Sequence, residues 1–116
     1  MNKPYDLEER TYLFARECRL YIKTLPKTAS NIEDGKQLIR SSGSVGANYI
    51  EANEKLSDKD LAFRLKIARK EAKESKYWLQ LLHDLNPDQT TFSESLLIEI
   101  EQLRKILSTI ITKTAH

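Results

Sequence analysis

Apolar positions recur at steps of three and four along almost the whole chain, the spacing that lines one face of an α-helix. Leu7, Phe14, Cys18, Tyr21 and Leu25 share the first such face. Asp6, with Glu9 three residues on, supplies a capping box, and Leu25-Pro26 ends the segment because the proline ring disfavours helical backbone in the residue before it. The pattern predicts a first helix over 6–25.

Ser30 and Glu33 form a second capping box, which predicts a helix over 30–56 that has to cross RSSGSVGAN. Two signals conflict there. Gly43 and Gly46 each cost about 1 kcal/mol against Ala in a helix interior, and Ser41, Ser42 and Ser44 compete for backbone hydrogen bonds, so local propensity favours a loop. Periodicity favours a helix: Gln37, Arg40, Ser44, Asn48, Glu51 and Lys55 make an unbroken polar stripe, while Ile32, Ile39, Val45, Tyr49 and Leu56 take other faces. One continuous helix is expected, its small residues allowing a close approach to a neighbouring backbone.

Ser57 and Asp60 cap a third helix, predicted over 58–85 and stopped by Asn86-Pro87. Leu61, Leu65, Ala68, Ala72, Ser75, Leu79 and Leu82 form its inward stripe. Phe63, Ile67, Tyr77, Trp78 and Leu81 lie beside that stripe, and together the two sets exceed the ~100° that a surface helix turns to its core. A second buried contact is therefore expected, with another element or another subunit. A fourth helix begins between Asp88 and Ser93, with Thr91 and Glu94 as one possible box, and is placed over 91–112. Its seam is Leu96, Ile100, Leu103, Leu107 and Ile110. Short connections make successive helices antiparallel, so the expected architecture is one all-α domain over 1–116, an up-down-up-down four-helix bundle.

Composition agrees: 40% hydrophobic, 31% charged, with only three Gly and three Pro. No apolar stretch spans a bilayer and MNKPYDLEER lacks a signal-peptide core, so a cytoplasmic location is expected. The single cysteine, Cys18, has no internal partner and is expected in the core.

Catalytic chemistry finds little footing. His83 and His116 are not spaced with a second His, and no Glu-x-x-His pair of the di-iron bundles occurs, so neither a metal nor another cofactor is expected. Phosphate-cradling loops and the Gly-x-Ser-x-Gly elbow are missing too. Lys76, Tyr77 and Trp78 occupy the places where one helical class of ribonuclease would set an Arg ahead of His83. Arg40, Asn48 and Glu51 suggest a catalytic set, yet Arg40 and Glu51 lie about 16 Å apart along a straight helix. Hydrogen bonds across the bundle or between subunits suit Gln37, Arg40, Ser44, Asn48 and Glu51 better.

Charge supplies the remaining candidate. Net charge is +2, but Lys59 to Lys76 holds seven basic residues against Asp60, Glu71 and Glu74. Lys59, Lys66, Lys70 and Lys73 fall within about 60° on a helical projection, with Arg69 and Lys76 flanking them, an arrangement able to follow a phosphate backbone. A solvated charged face, neutralised by Glu71 and Glu74, is the competing reading.

The segment QLIRSSGSVGANYIEAN, through Gln37, Arg40, Ser41, Ser44, Val45, Ala47, Asn48 and Glu51, resembles the bacterial 23S rRNA intervening-sequence proteins. FRLKIARKEAKESKYWLQLL is similar to the same family at Phe63, Leu65, Ile67, Ala68, Glu74, Trp78 and Leu79. Ala52-Asn53 stands where many members carry a Gly. The resemblance implies an antiparallel four-helix bundle assembled as a homopentamer, akin to the nucleic-acid-binding accessory variability determinant of diversity-generating retroelements. The leading expectation is thus a non-enzymatic, homo-oligomeric protein that binds RNA or DNA through Lys59, Lys66, Arg69, Lys70, Lys73 and Lys76. Its rival is a scaffold that binds a protein through Phe63, Ile67, Tyr77 and Trp78.

Overall fold

The starts of the first three helices are each fixed by a side chain that accepts a hydrogen bond from an otherwise unpartnered amide of the first turn. The computed structural model of the chain describes residues 6–114, so His116 lies outside the described residues. Asp6 caps α1 (Leu7–Lys23), accepting from the Glu9 amide. Ser57 caps α3 (Asp58–Leu85) in the same way from Asp60, and the helix stops before Asn86-Pro87. Several expected ends move. α2 (Ala29–Asn53) is capped by Thr28, which accepts from Asn31, rather than by Ser30. It stops three residues short of Leu56, which is 94% exposed and has no apolar contact to hold it in the helix. α4 (Thr90–Thr114) starts ahead of Thr91, because a 3-10 turn over Pro87–Gln89 feeds straight into it.

α2 runs unbroken through RSSGSVGAN. None of its three glycines has a positive φ, so each is there for space and not for a special backbone conformation. A Cβ on Gly46 would sit 2.8 Å from Thr11 Oγ1 of α1, one on Gly43 3.3 Å from the Arg19 guanidinium, and one on Gly35 3.3 Å from Ile22. The glycines thus admit α1. Ser41 admits α3: Ser75 Oγ donates to Ser41 Oγ at 2.9 Å, both fully buried.

α1 packs on α2 and α4, α3 packs on α2 and α4, and α1 and α3 lie diagonally opposite, giving the antiparallel four-helix bundle. The core draws on every helix, with Leu7, Phe14, Cys18 and Tyr21 meeting Leu38, Val45, Leu65, Leu79, Leu82, Ile100, Leu103 and Leu107. The α4 seam closes on buried Ile111, with Ile110 only partly buried, because a step of four from Leu107 keeps better pace with a straight helix than a step of three. Leu61 is likewise only half-buried. Cys18 has no exposure, and burial pushes its thiol pKa up, leaving the uncharged, unreactive form.

Two features were not visible in the sequence. Asn31 and Asn86 exchange reciprocal side-chain hydrogen bonds, each 2.9 Å, and tie the start of α2 to the end of α3. His83 Nδ1 lies 2.6 Å from Ser93 Oγ, joining α3 to α4.

Candidate nucleic-acid interface

Lys59, Lys66, Lys70 and Lys73 project from α3 on the side opposite Leu65, Ala68, Ala72 and Leu79, and all four are exposed. Phe63 and Tyr77 share this face, 57% and 59% exposed, each seven residues from Lys70. Phe63, Lys66, Lys70, Lys73 and Tyr77 therefore form one stripe about 21 Å long at 1.5 Å per residue, aromatic at both ends and cationic between.

The three acids of the run all turn away from it. Glu71 is buried beside Arg40 of α2, with Nη1 and Oε1 3.4 Å apart. Glu74 pairs with the same guanidinium and accepts from Trp78 Nε1 at 3.1 Å. Asp60 accepts from the Leu56 amide and faces Arg64. Among the described residues, Lys59, Lys66, Lys70 and Lys73 have no carboxylate within salt-bridge reach. Four cations on one face of a helix, without counter-charges, raise a local positive potential in the surrounding solvent.

The other two basic candidates lie off the stripe. Arg69 leans toward α4 and its Nη1 is 3.5 Å from Ser108 Oγ. Lys76 pairs with Glu101 of α4 at 3.3 Å. Glu101 also holds Arg104 at 2.6 Å, and these two cations, Arg104 first, draw its carboxyl down to about 2. Ile67 and Trp78 are half-buried in the bundle, so the second apolar set divides into two parts, one packed and one open.

The sequence matches, over residues 5–109, the family described as 23S rRNA-intervening sequence protein. The chain belongs to that family. Among solved structures, it is similar to a crystal structure at 1.70 Å of a protein with unknown function from the S23 ribosomal protein family of Bacteroides thetaiotaomicron VPI-5482. The two are 32% identical, the match covers 90% of this chain and 96% of the other, and the TM-score is 0.76. Among curated proteins none matches.

Within this chain, the polar stripe of α2 does several local tasks. Arg40 bridges to α3 as described. Asn48 Nδ2 turns back to the Ser44 carbonyl and hydroxyl at 2.9 and 3.0 Å. Gln37 and Glu51 are exposed. No cluster of three or more His, Cys, Asp or Glu side chains forms among the described residues, and no helix there is long and apolar enough to cross a membrane. Sequence reading placed the lysines on one face, and Phe63 and Tyr77, expected in a contact with another element or another subunit, are exposed in the single chain and join that face. Their seven-residue spacing about Lys70 was the available signal.

Proposed function

We propose that this protein is a non-enzymatic binder of single-stranded RNA or DNA, gripping the phosphate backbone with Lys59, Lys66, Lys70 and Lys73. The observation that carries the reading is the turning away of Asp60, Glu71 and Glu74, which leaves the lysines unneutralised. Lysines one helical turn apart can meet successive phosphates, and aromatic rings at the ends offer platforms for unpaired bases of any identity. Such contacts position a strand without reading its sequence. Self-association, for which the family resemblance implies a pentamer, would repeat the stripe and add the fields of the copies. A cytoplasmic location goes with this reading.

Fluorescence anisotropy with a mixed-sequence RNA oligonucleotide at about 50 mM salt tests it. Affinity should fall steeply with salt, and the triple change Lys66→Ala, Lys70→Ala, Lys73→Ala should weaken binding and flatten the log–log salt slope by about 2. Absence of binding, or binding unchanged in the triple variant, would remove the proposal. Arg69→Ala and Lys76→Ala should matter less, since both side chains are turned toward α4.

The exposure of Phe63 and Tyr77 also favours a second reading, a scaffold that holds a protein partner on this face. Capture that survives nuclease, is insensitive to salt and is lost on Phe63→Ala with Tyr77→Ala would select it.

A further inference from the structure

Away from the lysine stripe, the seam between α1 and α2 is open along its outer side. Two cavities lie in line there, about 410 Å³ and about 240 Å³. Along α2 the seam extends from Ile32 to Ile50, about 27 Å at 1.5 Å per residue. Gly35, Gly43 and Gly46, which let α1 come close, lie in its lining. Ile32, Ile39 and Ile50 sit along it at spacings of seven and eleven residues, 43%, 37% and 47% exposed, so α2 leaves an apolar edge outside its own core.

The rim is mostly cationic. Among the described residues, Arg16 and Arg19 line one cavity and Lys23, Lys27 and Lys36 the other, five cations against a single lining acid, Glu8. Glu8 already accepts from Asn53 at 2.7 Å. Arg19 stands between the cavities, donating to the Ala15 and Ile39 carbonyls at 2.9 and 3.2 Å, with no carboxylate partner among the described residues. Arg16 and Lys36 meet Glu17 and Glu33 only in exposed contacts of 3.4 Å, which solvent screens.

We infer that the α1–α2 groove binds an acidic amphipathic helix of a protein partner, which lies along the glycine-lined floor as a fifth helix. Groove length suits about five helical turns, and the isoleucine edge suits an apolar face with anchors about two and three turns apart. The five cations select glutamate or aspartate on the flanks of that face, and Arg19 takes a carboxylate at mid-groove. The groove borders α1, diagonal to α3, so a helix there and a nucleic acid on the lysine stripe would occupy different sides of one subunit. The inference does not depend on nucleic-acid binding.

The test uses the full chain and a labelled synthetic peptide of about 18 residues, leucine on one helical face and glutamate elsewhere, with a lysine counterpart as control. Anisotropy should show saturable binding of the glutamate peptide and at least about tenfold weaker binding of the lysine peptide. Gly43→Leu, which fills the floor where only the Arg19 guanidinium is met, should weaken binding about tenfold while thermal unfolding shows the bundle intact. Arg19→Gln should narrow the preference for the glutamate peptide. Equal binding of both peptides, no binding, or full binding to Gly43→Leu would overturn the inference. So would a fall in the light-scattering mass of Gly43→Leu below that of the wild type, because the groove would then belong to a second copy of the chain. RNA binding measured on the same samples reads the lysine stripe separately.

Discussion

A single added carbon atom meets different neighbours at two glycines three residues apart in α2. At Gly46 a Cβ would meet Thr11 at 2.8 Å from Oγ1 and 3.1 Å from Cβ, with the Thr11 backbone close behind. Gly46→Ala should therefore destabilise by about 1–3 kcal/mol despite its better helix propensity. At Gly43 the Cβ meets only the end of Arg19, so Gly43→Ala should raise stability by up to about 1 kcal/mol. Urea unfolding of the two variants checks the opposite signs. Tyr21 offers a third expectation at this scale. Its hydroxyl is fully buried beside Ser93 but reaches no partner in hydrogen-bond geometry, and burial raises its pKa. Tyr21→Phe should cost nothing or stabilise by about 1 kcal/mol, because it removes a desolvated polar group without emptying the site. Propensity alone treats Gly43 and Gly46 alike. What distinguishes them is a neighbour on another helix, which no local pattern names.

Between elements, the amide pair of Asn31 and Asn86 sets the end-to-end register of α2 against α3. Each side chain also donates to a carbonyl, Asn31 to Pro26 and Asn86 to Leu82, so all four amide protons have acceptors. Replacing either by Ala leaves the other buried and unsatisfied and should cost about 1–3 kcal/mol. The double variant should cost less than the sum, with a coupling of about 0.5–3 kcal/mol in a double-mutant cycle. Helix starts at Asp6 and Ser57 were legible because a cap is a local event, read from residues three apart. The start of α2 was not, since both Thr28 and Ser30 can cap and the choice rests on Asn31 being drawn inward to Asn86. The passage of α2 through its glycines was legible only as periodicity, and became a stable helix through contacts with Thr11 and Ser75. For the candidate interface, the angular grouping of the lysines followed from α3 alone, whereas the removal of Lys76 from it depends on Glu101, contributed by α4.

For the molecule as a whole, acid is an informative stress. Glu101, held at about 2 against its ordinary 4.5, adds stability that is complete above about pH 4.5 and lost as pH falls through about 2. The gap in unfolding midpoint between the wild type and Glu101→Gln, present at pH 7, should close over that interval in urea titrations at stepped pH. Light scattering at neutral pH decides the assembly question: a mass near one subunit would leave a single lysine stripe, and a multiple would add stripes side by side. The contacts around Trp78 carry one more consequence. It is the sole tryptophan, its indole nitrogen bound to Glu74 and its ring edge-on to exposed Tyr77 at a centroid distance of 5.0 Å. Intrinsic emission is thus an unlabelled optical reporter placed where the α2–α3 ion cluster meets the end of the basic face. A strand stacking on Tyr77 and the loosening of the Arg40 cluster should each change its intensity or wavelength.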